Sequence, residues 1–249
     1  MADLKAYRSS EQEQARTSDL LGLLPTGRKS VLDIGARDGH FSKLLTERFD
    51  RVTALDLRVP GFQYHRVECI TGDVTRLPFR DEAFDCVFCT EVLEHVPNVE
   101  IACREISRVV RHEVVVGVPY RQDTRVGRTT CRSCGKPNPP WGHVNTFDTA
   151  RLEELFSPMK PRRQSLVGVN RDATNPLSCL LMDWGGNPWG PYSQDEPCIY
   201  CGMRLTPPAR RSLAMRLSSA LAARINGAQR LFTKPHANWI HVVFVKTDR

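Results

Sequence analysis

Ser30-Val-Leu-Asp-Ile-Gly-Ala-Arg-Asp-Gly-His-Phe-Ser-Lys-Leu-Leu45 runs from a short apolar segment through an acid and a glycine turn into a pattern of helical spacing. Its first part reads as a buried strand and its last part as an amphipathic helix. Gly35 and Gly39 fit the turn, because a residue without a side chain lets the backbone bend sharply and come close to a ligand. Outward from this stretch the alternation continues. Arg51-Val-Thr-Ala-Leu-Asp56 is a second short strand ending in an acid, and Phe84–Thr90 and Glu113–Pro119 are two more apolar runs, separated by the helical periodicity of residues 99–110. Strands alternating with helices imply a parallel sheet covered on both faces.

Beyond Pro119 the pattern breaks into Arg, Gly, Cys and Pro. It resumes with a helix over 146–156, which Asp148 or Thr149 can cap, and a strand over 163–169. Residues 170–209 read as an irregular insertion, residues 210–232 as a long amphipathic helix, and Asn238–Lys246 as a last strand. Residues 1 to about 20 read as a polar, helix-prone lead-in.

At 249 residues the chain is long enough for one sizeable core with added elements, and 41% apolar with 25% charged residues is ordinary for a globular protein. No apolar run approaches a bilayer span, and the first residues lack the apolar centre of a secretory signal, so the expectation is a cytoplasmic protein. The net charge of +7 is uneven: residues 1–100 hold 13 Lys/Arg against 17 Asp/Glu, the remainder 22 against 11. A basic C-terminal half can steer phosphates, acidic sugars, nucleic acid or a membrane face, or can be a solvated surface with no partner.

The ordered motifs resemble those of the class I S-adenosylmethionine-dependent methyltransferases, over roughly residues 28–170 plus the final strand. The likeness is carried by Val31-Leu-Asp-Ile-Gly-Ala-Arg-Asp-Gly39, by Asp56 at the second strand end, by Asp73 in Thr71-Gly-Asp-Val-Thr-Arg-Leu-Pro-Phe79, and by Phe84-Asp-Cys-Val-Phe-Cys-Thr-Glu-Val-Leu-Glu-His-Val-Pro97. It implies an α/β, Rossmann-like seven-stranded sheet, mostly parallel, with an antiparallel last strand. The core covers about 28–120, 146–170 and 236–249 of a single domain, with insertions at 121–145 and 170–235. The cofactor residues it implies are Asp33, Gly35, Ala36, Gly39, Asp56, Leu57, Gly72, Asp73, Val74 and Glu91. A carboxylate such as Asp56 suits a ribose diol, and Asp73 an adenine amino group. Asp33 suits the amine of the methionine part, and Asp85 completes the ordered set of acids. Arg37 stands where many family members have a middle glycine. A dinucleotide site also uses a glycine loop, but the second pair spacing of that fingerprint is missing.

For the reacting centre the resemblance points to His95 beside the methyl end, and His143 precedes the helix that flanks an acceptor pocket. Either is a candidate base, with Glu91 beside them, and either can equally be a structural hydrogen-bonding histidine. Glu91, Glu94, His95 and His143 also resemble a divalent-ion set, which makes magnesium the weaker expectation.

Nine cysteines without a secretion signal argue for a reduced compartment. Cys131-Arg-Ser-Cys134-Gly and Cys198-Ile-Tyr-Cys201-Gly are two-cysteine turns, and four thiolates in tetrahedral array form a closed, structural zinc site. Zinc there would tie the two insertions together, as a lid over the acceptor. Cys86 and Cys89, in an apolar strand and three apart, read as core residues facing opposite sides, with Cys69, Cys103 and Cys179 also in the core. Leu213, Leu217, Leu221 and Ile225 form a helical stripe in the basic helix 210–232, suited to packing on its own domain or to an anionic membrane. Trp184, Trp189 and Tyr192 can stack on a sugar or base, or fill the zinc module. The expected function is O-methylation of a small or medium polar acceptor, anionic or sugar-containing, such as a sugar or secondary metabolite. Methylation of RNA or another nucleic acid, and an inactive zinc-stabilised scaffold, are the competing readings.

Overall fold

The computed structural model describes residues 8–247, so residues 1–7 of the expected helical lead-in lie outside the described residues. By its internal packing the chain divides into two compact units. The sheet unit holds residues 14–120 and 147–168 and the chain from Asn238 onward. The knuckle unit holds residues 121–146 and 169–237 with the segment up to Glu13.

Seven strands form the sheet: β1 (Ser30–Ile34), β2 (Arg51–Asp56), β3 (Val67–Thr71), β4 (Phe84–Thr90), β5 (Val110–Pro119), β6 (Lys160–Val167) and β7 (Trp239–Val245). Their order is β3-β2-β1-β4-β5-β7-β6. β1 to β5 pair in parallel, and β7 runs antiparallel to both β5 and β6, as expected for the last strand. The sequence reading had given residues 67–71 no strand, because β3 is a half-exposed edge strand without a continuous apolar run.

The period-2 alternation of strand side chains feeds two cores. On one face Leu32, Val87, Cys89, Val114, Val116, Val242 and Phe244 pack with Ala102, Cys103, Ile106 of helix α3 (Val99–Val109) and Leu152 of helix α4 (Thr149–Leu155). On the other, Val31, Val52, Cys86, Phe88, Val115 and Val243 pack with Leu20 and Leu23 of helix α1 (Glu11–Leu23) and Leu45 of helix α2 (His40–Leu45). Cys86 and Cys89 are fully buried on opposite faces, as their spacing predicts. Cys69 is only half-buried, because its edge strand is covered incompletely. Asp148 caps α4 by accepting from Arg151 N at 2.9 Å. His241, in the middle of β7 and fully buried, has Nδ1 2.6 Å from Asp19 Oδ2 of α1, and Ser165 of β6 donates to the same oxygen.

The knuckle unit contains a two-residue ribbon, Thr129–Thr130 with Pro137–Asn138, and two helices, α5 (Pro176–Trp184) and α6 (Leu213–Arg230). α5 falls inside the stretch read as irregular. Its start is a capping box of Asn175 and Ser178 with proline at the first helical position. α6 begins at its cap Ser212, a little inside the expected 210–232.

Candidate cofactor cleft and cysteine cluster

The carboxyl ends of β1 and β2 and the turn after β3 gather the expected acids. Gly35 N and Ala36 N both donate to Leu55 O, at 2.8 and 3.2 Å, so the loop after β1 is pinned to the end of β2. Gly35 and Gly39 have φ of 80° and 77°, where side chains are disfavoured. A Cβ on Gly35 would collide with Val92 Cγ2, and one on Gly39 with the Phe62 ring. Arg37 has φ 50°, which explains why a glycine suits this position, and its side chain is exposed. Its amide donates to Asp56 Oδ2 at 2.9 Å, fixing the acid that closes β2.

Gly72 N donates to Asp56 O at 2.9 Å, and a Cβ at Gly72 would meet Leu55 Cδ1 at 2.8 Å. Asp73 Oδ1 accepts from Thr75 N and Thr75 Oγ1, both at 2.8 Å, which holds the carboxylate in place beside the buried Val74. Leu57, next to Asp56 in the chain, is 71% exposed. Replacing Gly39 with alanine is expected to destabilise the chain by roughly 2–4 kcal/mol, from left-handed strain and overpacking on Phe62. Urea unfolding measures it, and a change below about 0.5 kcal/mol would contradict the packing described.

Asp33 is buried, and Ser42 Oγ donates to its Oδ2 at 2.5 Å. Burial pushes its carboxyl up from 3.8 to about 7, opposed by the Ser42 hydrogen bond and helped by the charge of Asp56. The native chain therefore holds this proton more tightly than the unfolded chain. Asp33 weakens stability progressively as pH rises from about 4 to about 7, and the loss is complete above that. Asp33→Asn is accordingly expected to raise the thermal midpoint at pH 8 by a few degrees, about 2–4 °C per kcal/mol recovered. An unchanged or lower midpoint, measured by calorimetry, would contradict the burial cost assigned to Asp33.

Asp85 is not part of the cleft. It lies at the start of β4, the opposite end of the strand, where Oδ2 accepts from Lys29 N and Ser30 N at 3.0 and 3.1 Å and Oδ1 from Arg111 at 3.1 Å. It ties the amino ends of β1, β4 and β5 together, as its place at the start of the run Phe84–Thr90 allows.

Past β4, Glu91 takes φ 55° and donates its amide to Gly117 O at 2.9 Å. Arg16 Nη1 is 3.8 Å from Glu91 Oε1, and the Arg16 guanidinium lies 5.5 Å from the Phe41 ring and 5.7 Å from Trp239. Arg16 is 4% exposed and was missed in sequence, since nothing in the polar run around it separates it from a solvated arginine. His95 closes the short turn Leu93–His95 and is half-buried. Glu94 is fully buried, and burial together with the neighbouring Glu91 raises its carboxyl well above the usual range. His143 belongs to the knuckle unit, where it is buried with Nδ1 2.6 Å from Gln122 Oε1. With that oxygen accepting, Nδ1 carries the hydrogen.

The four knuckle cysteines do come together. Cys131 Sγ is 3.7 Å from Cys201 Sγ, Cys134 Sγ is 3.7 Å from Cys198 Sγ, and all four sulfurs lie within 4.8 Å of one another. A zinc tetrathiolate with bonds of about 2.3 Å has sulfur–sulfur edges of about 3.8 Å. The turns match each other: Gly135 N donates to Cys131 O and Gly202 N to Cys198 O, both at 2.9 Å, with both glycines at positive φ. Around Cys198, burial opposes ionisation, but the amides of Tyr200 and Cys201 and the Asn138 side chain outweigh it and pull the thiol down to about 6. Such N–H donors are what a metal-bound thiolate requires. Tyr192 packs against this cluster, its hydroxyl accepting from Thr130 N at 2.9 Å and donating to Gly186 O at 3.2 Å. Trp184 and Trp189, at 58% and 62% exposure, do not fill it.

The sheet order, the glycine loop and the acids at the strand ends together define the Rossmann-like methyltransferase fold. Residues 32–116 match the family model described as a methyltransferase domain. Among curated proteins the chain is similar to malonyl-[acyl-carrier protein] O-methyltransferase of Salmonella typhimurium, 33% identical over 117 residues, covering 44% of this chain and 47% of that protein. It is also similar to ubiquinone biosynthesis O-methyltransferase of Paracidovorax citrulli, 31% identical over 101 residues, covering 36% and 42%. The matched stretches thus span less than half the length of these relatives. Among solved structures, the N-methyltransferase NodS of Bradyrhizobium japonicum in complex with S-adenosyl-L-homocysteine superposes with a TM-score of 0.55 at 11% identity, covering 100% of this chain and 94% of that one.

Proposed function

We propose that the chain is an S-adenosylmethionine-dependent methyltransferase acting at oxygen on a small or medium polar acceptor, such as a sugar or secondary metabolite. The observation that carries this reading is the fixed spacing of Asp33, Asp56 and Asp73 around a loop that Gly35 and Gly39 keep free of side chains. The donor set fits the cofactor. Asp56, held by the Arg37 amide, would grip the ribose hydroxyls, Asp73 would accept from the adenine amine, and Leu57 would cover the base. Asp33 as a buried carboxylate would face the cationic amino-acid end.

The cofactor supplies an activated methyl on a positively charged sulfur. The chain's task is to place the acceptor oxygen in line with it and to remove the hydroxyl proton, by His95 or His143. The names of the curated relatives support oxygen as the acceptor atom. The four-cysteine cluster belongs to the proposal as a structural zinc site, since four sulfurs leave no open position for chemistry. In the same reading, residues 121–145 and 170–235 serve as the lid that selects the acceptor.

Transfer of labelled methyl from S-adenosylmethionine to a panel of hydroxylated small molecules tests it. Labelling of a hydroxylated acceptor is expected, reduced at least about tenfold in His95→Ala or His143→Ala, whichever is the base. Labelling of RNA in preference to every small acceptor would overturn the acceptor class.

A further inference from the structure

In the knuckle unit, α5 and α6 pack against each other with small and polar residues and turn their large apolar residues outward. Ser218 Oγ donates to Leu181 O at 2.8 Å, Arg211 Nη1 reaches Gly185 O at 3.3 Å and Ser219 Oγ at 2.9 Å, and Ser218, Ser219 and Ala222 are buried. Gly185 allows the approach, since a Cβ there would meet Ser219 Cβ at 2.8 Å. The opposite side carries Leu213, Leu217 and Leu221, exposed by 72%, 62% and 51%. Leu177, Leu180 and Trp184 are exposed by 59%, 67% and 58% on α5, and Leu231 and Phe232 by 81% and 87% where α6 ends. Packing on the chain's own domain, one of the two uses expected for this stripe, would bury these leucines. Instead the serines are inside and the leucines outside.

Single exposed leucines are common, but two adjacent helices presenting leucines at helical spacing with a tryptophan and a phenylalanine are not. The charge of α6 and its flanks has one sign, whereas α5 carries Asp183, paired with Arg128 at 2.9 Å. Residues 205–235 contain six Lys/Arg and no Asp/Glu, and Arg216 and Arg224 are exposed among the leucines of α6. Neither helix is long and apolar enough to cross a membrane. Leucine, tryptophan and phenylalanine interleaved with arginine is the composition of a helix lying in the headgroup region of an anionic bilayer. A nucleic acid would take the arginines but leave the leucines in water.

We propose that the α5–α6 pair is an interfacial anchor that seats this chain on an anionic lipid surface. The leucines and aromatic residues enter the acyl boundary, and Arg216 and Arg224 bind headgroup phosphates, while Arg230 is held by Asp172 at 2.9 Å. This does not depend on the chemistry proposed for the cleft.

Co-sedimentation of the full zinc-loaded chain with vesicles of phosphatidylcholine doped with phosphatidylglycerol tests it, against pure phosphatidylcholine. Binding is expected to the anionic vesicles, to weaken as salt is raised, and to fall by about tenfold for each of Leu217→Gln and Leu221→Gln. Both leucines are exposed, so the thermal midpoint should not move, and Arg216→Glu with Arg224→Glu provides a second variant with intact apolar residues. Absence of vesicle binding overturns the proposal. So does binding indifferent to the leucine variants, or a concentration-dependent dimer that those variants abolish.

Discussion

Replacing Cys131 or Cys198 with serine is expected to abolish the proposed zinc binding and unfold the cysteine-bearing segments, the largest effect a single substitution should have in this chain. The basis is the cluster of four sulfurs within 4.8 Å of one another, two of whose separations, 3.7 Å each, match the edge of a zinc tetrathiolate. Among the described residues, only Leu205 and Tyr192 join the cysteines in the apolar cluster around it. A ribbon of two residues per strand and so small a core need a further tie, which the proposed zinc would supply locally. Structural zinc in comparable small sites contributes on the order of 10 kcal/mol, and losing one thiolate removes a large part of it. Metal analysis should find one zinc per intact chain and less in the variants, with amide protection lost across residues 129–138 and 196–205. A metal-free chain that keeps that protection would refute the assignment. Cys179→Ser is the control, because its sulfur lies outside the tetrahedron.

The second largest effect is expected from Asp56→Ala. Two charge-assisted hydrogen bonds to the ribose hydroxyls are each worth about 1.5–3 kcal/mol. Their loss should weaken cofactor binding by at least about a hundredfold. The fold should survive, since Asp56 is at a strand end and half-buried, and accepts from the Arg37 amide. Titration calorimetry with S-adenosylhomocysteine measures it. A change smaller than about threefold would mean that Asp56 does not hold the ribose.

Much of this was legible in the sequence for identifiable reasons. Strands buried on both faces are near-continuous apolar runs, so β1, β2, β4, β5 and β7 stand out, and the knuckle spacing is specific enough to survive separation by more than sixty residues. Asp85 misled because it was grouped with the other acids although it stands at the start of the run Phe84–Thr90, the end away from Asp33 and Asp56. β3 was missed because an edge strand need not be apolar. α5 was missed although Asn175-Pro176 with Ser178 is a start signal, because Gly, Pro and Trp nearby dominated the reading. The outward leucines of α6 illustrate a deeper limit. Periodicity shows that a helix has an apolar stripe, but only tertiary packing shows which stripe is buried.

The central claim is that the cleft formed by Asp33, Asp56 and Asp73 binds the methyl donor. Titration of the intact, zinc-loaded chain with S-adenosylmethionine tests it most directly. The account predicts saturable binding of one molecule per chain, weakening by up to about tenfold per pH unit below about 7, as Asp33 takes up its proton. Absence of any saturable heat from a folded, zinc-loaded chain at pH 8 would contradict it.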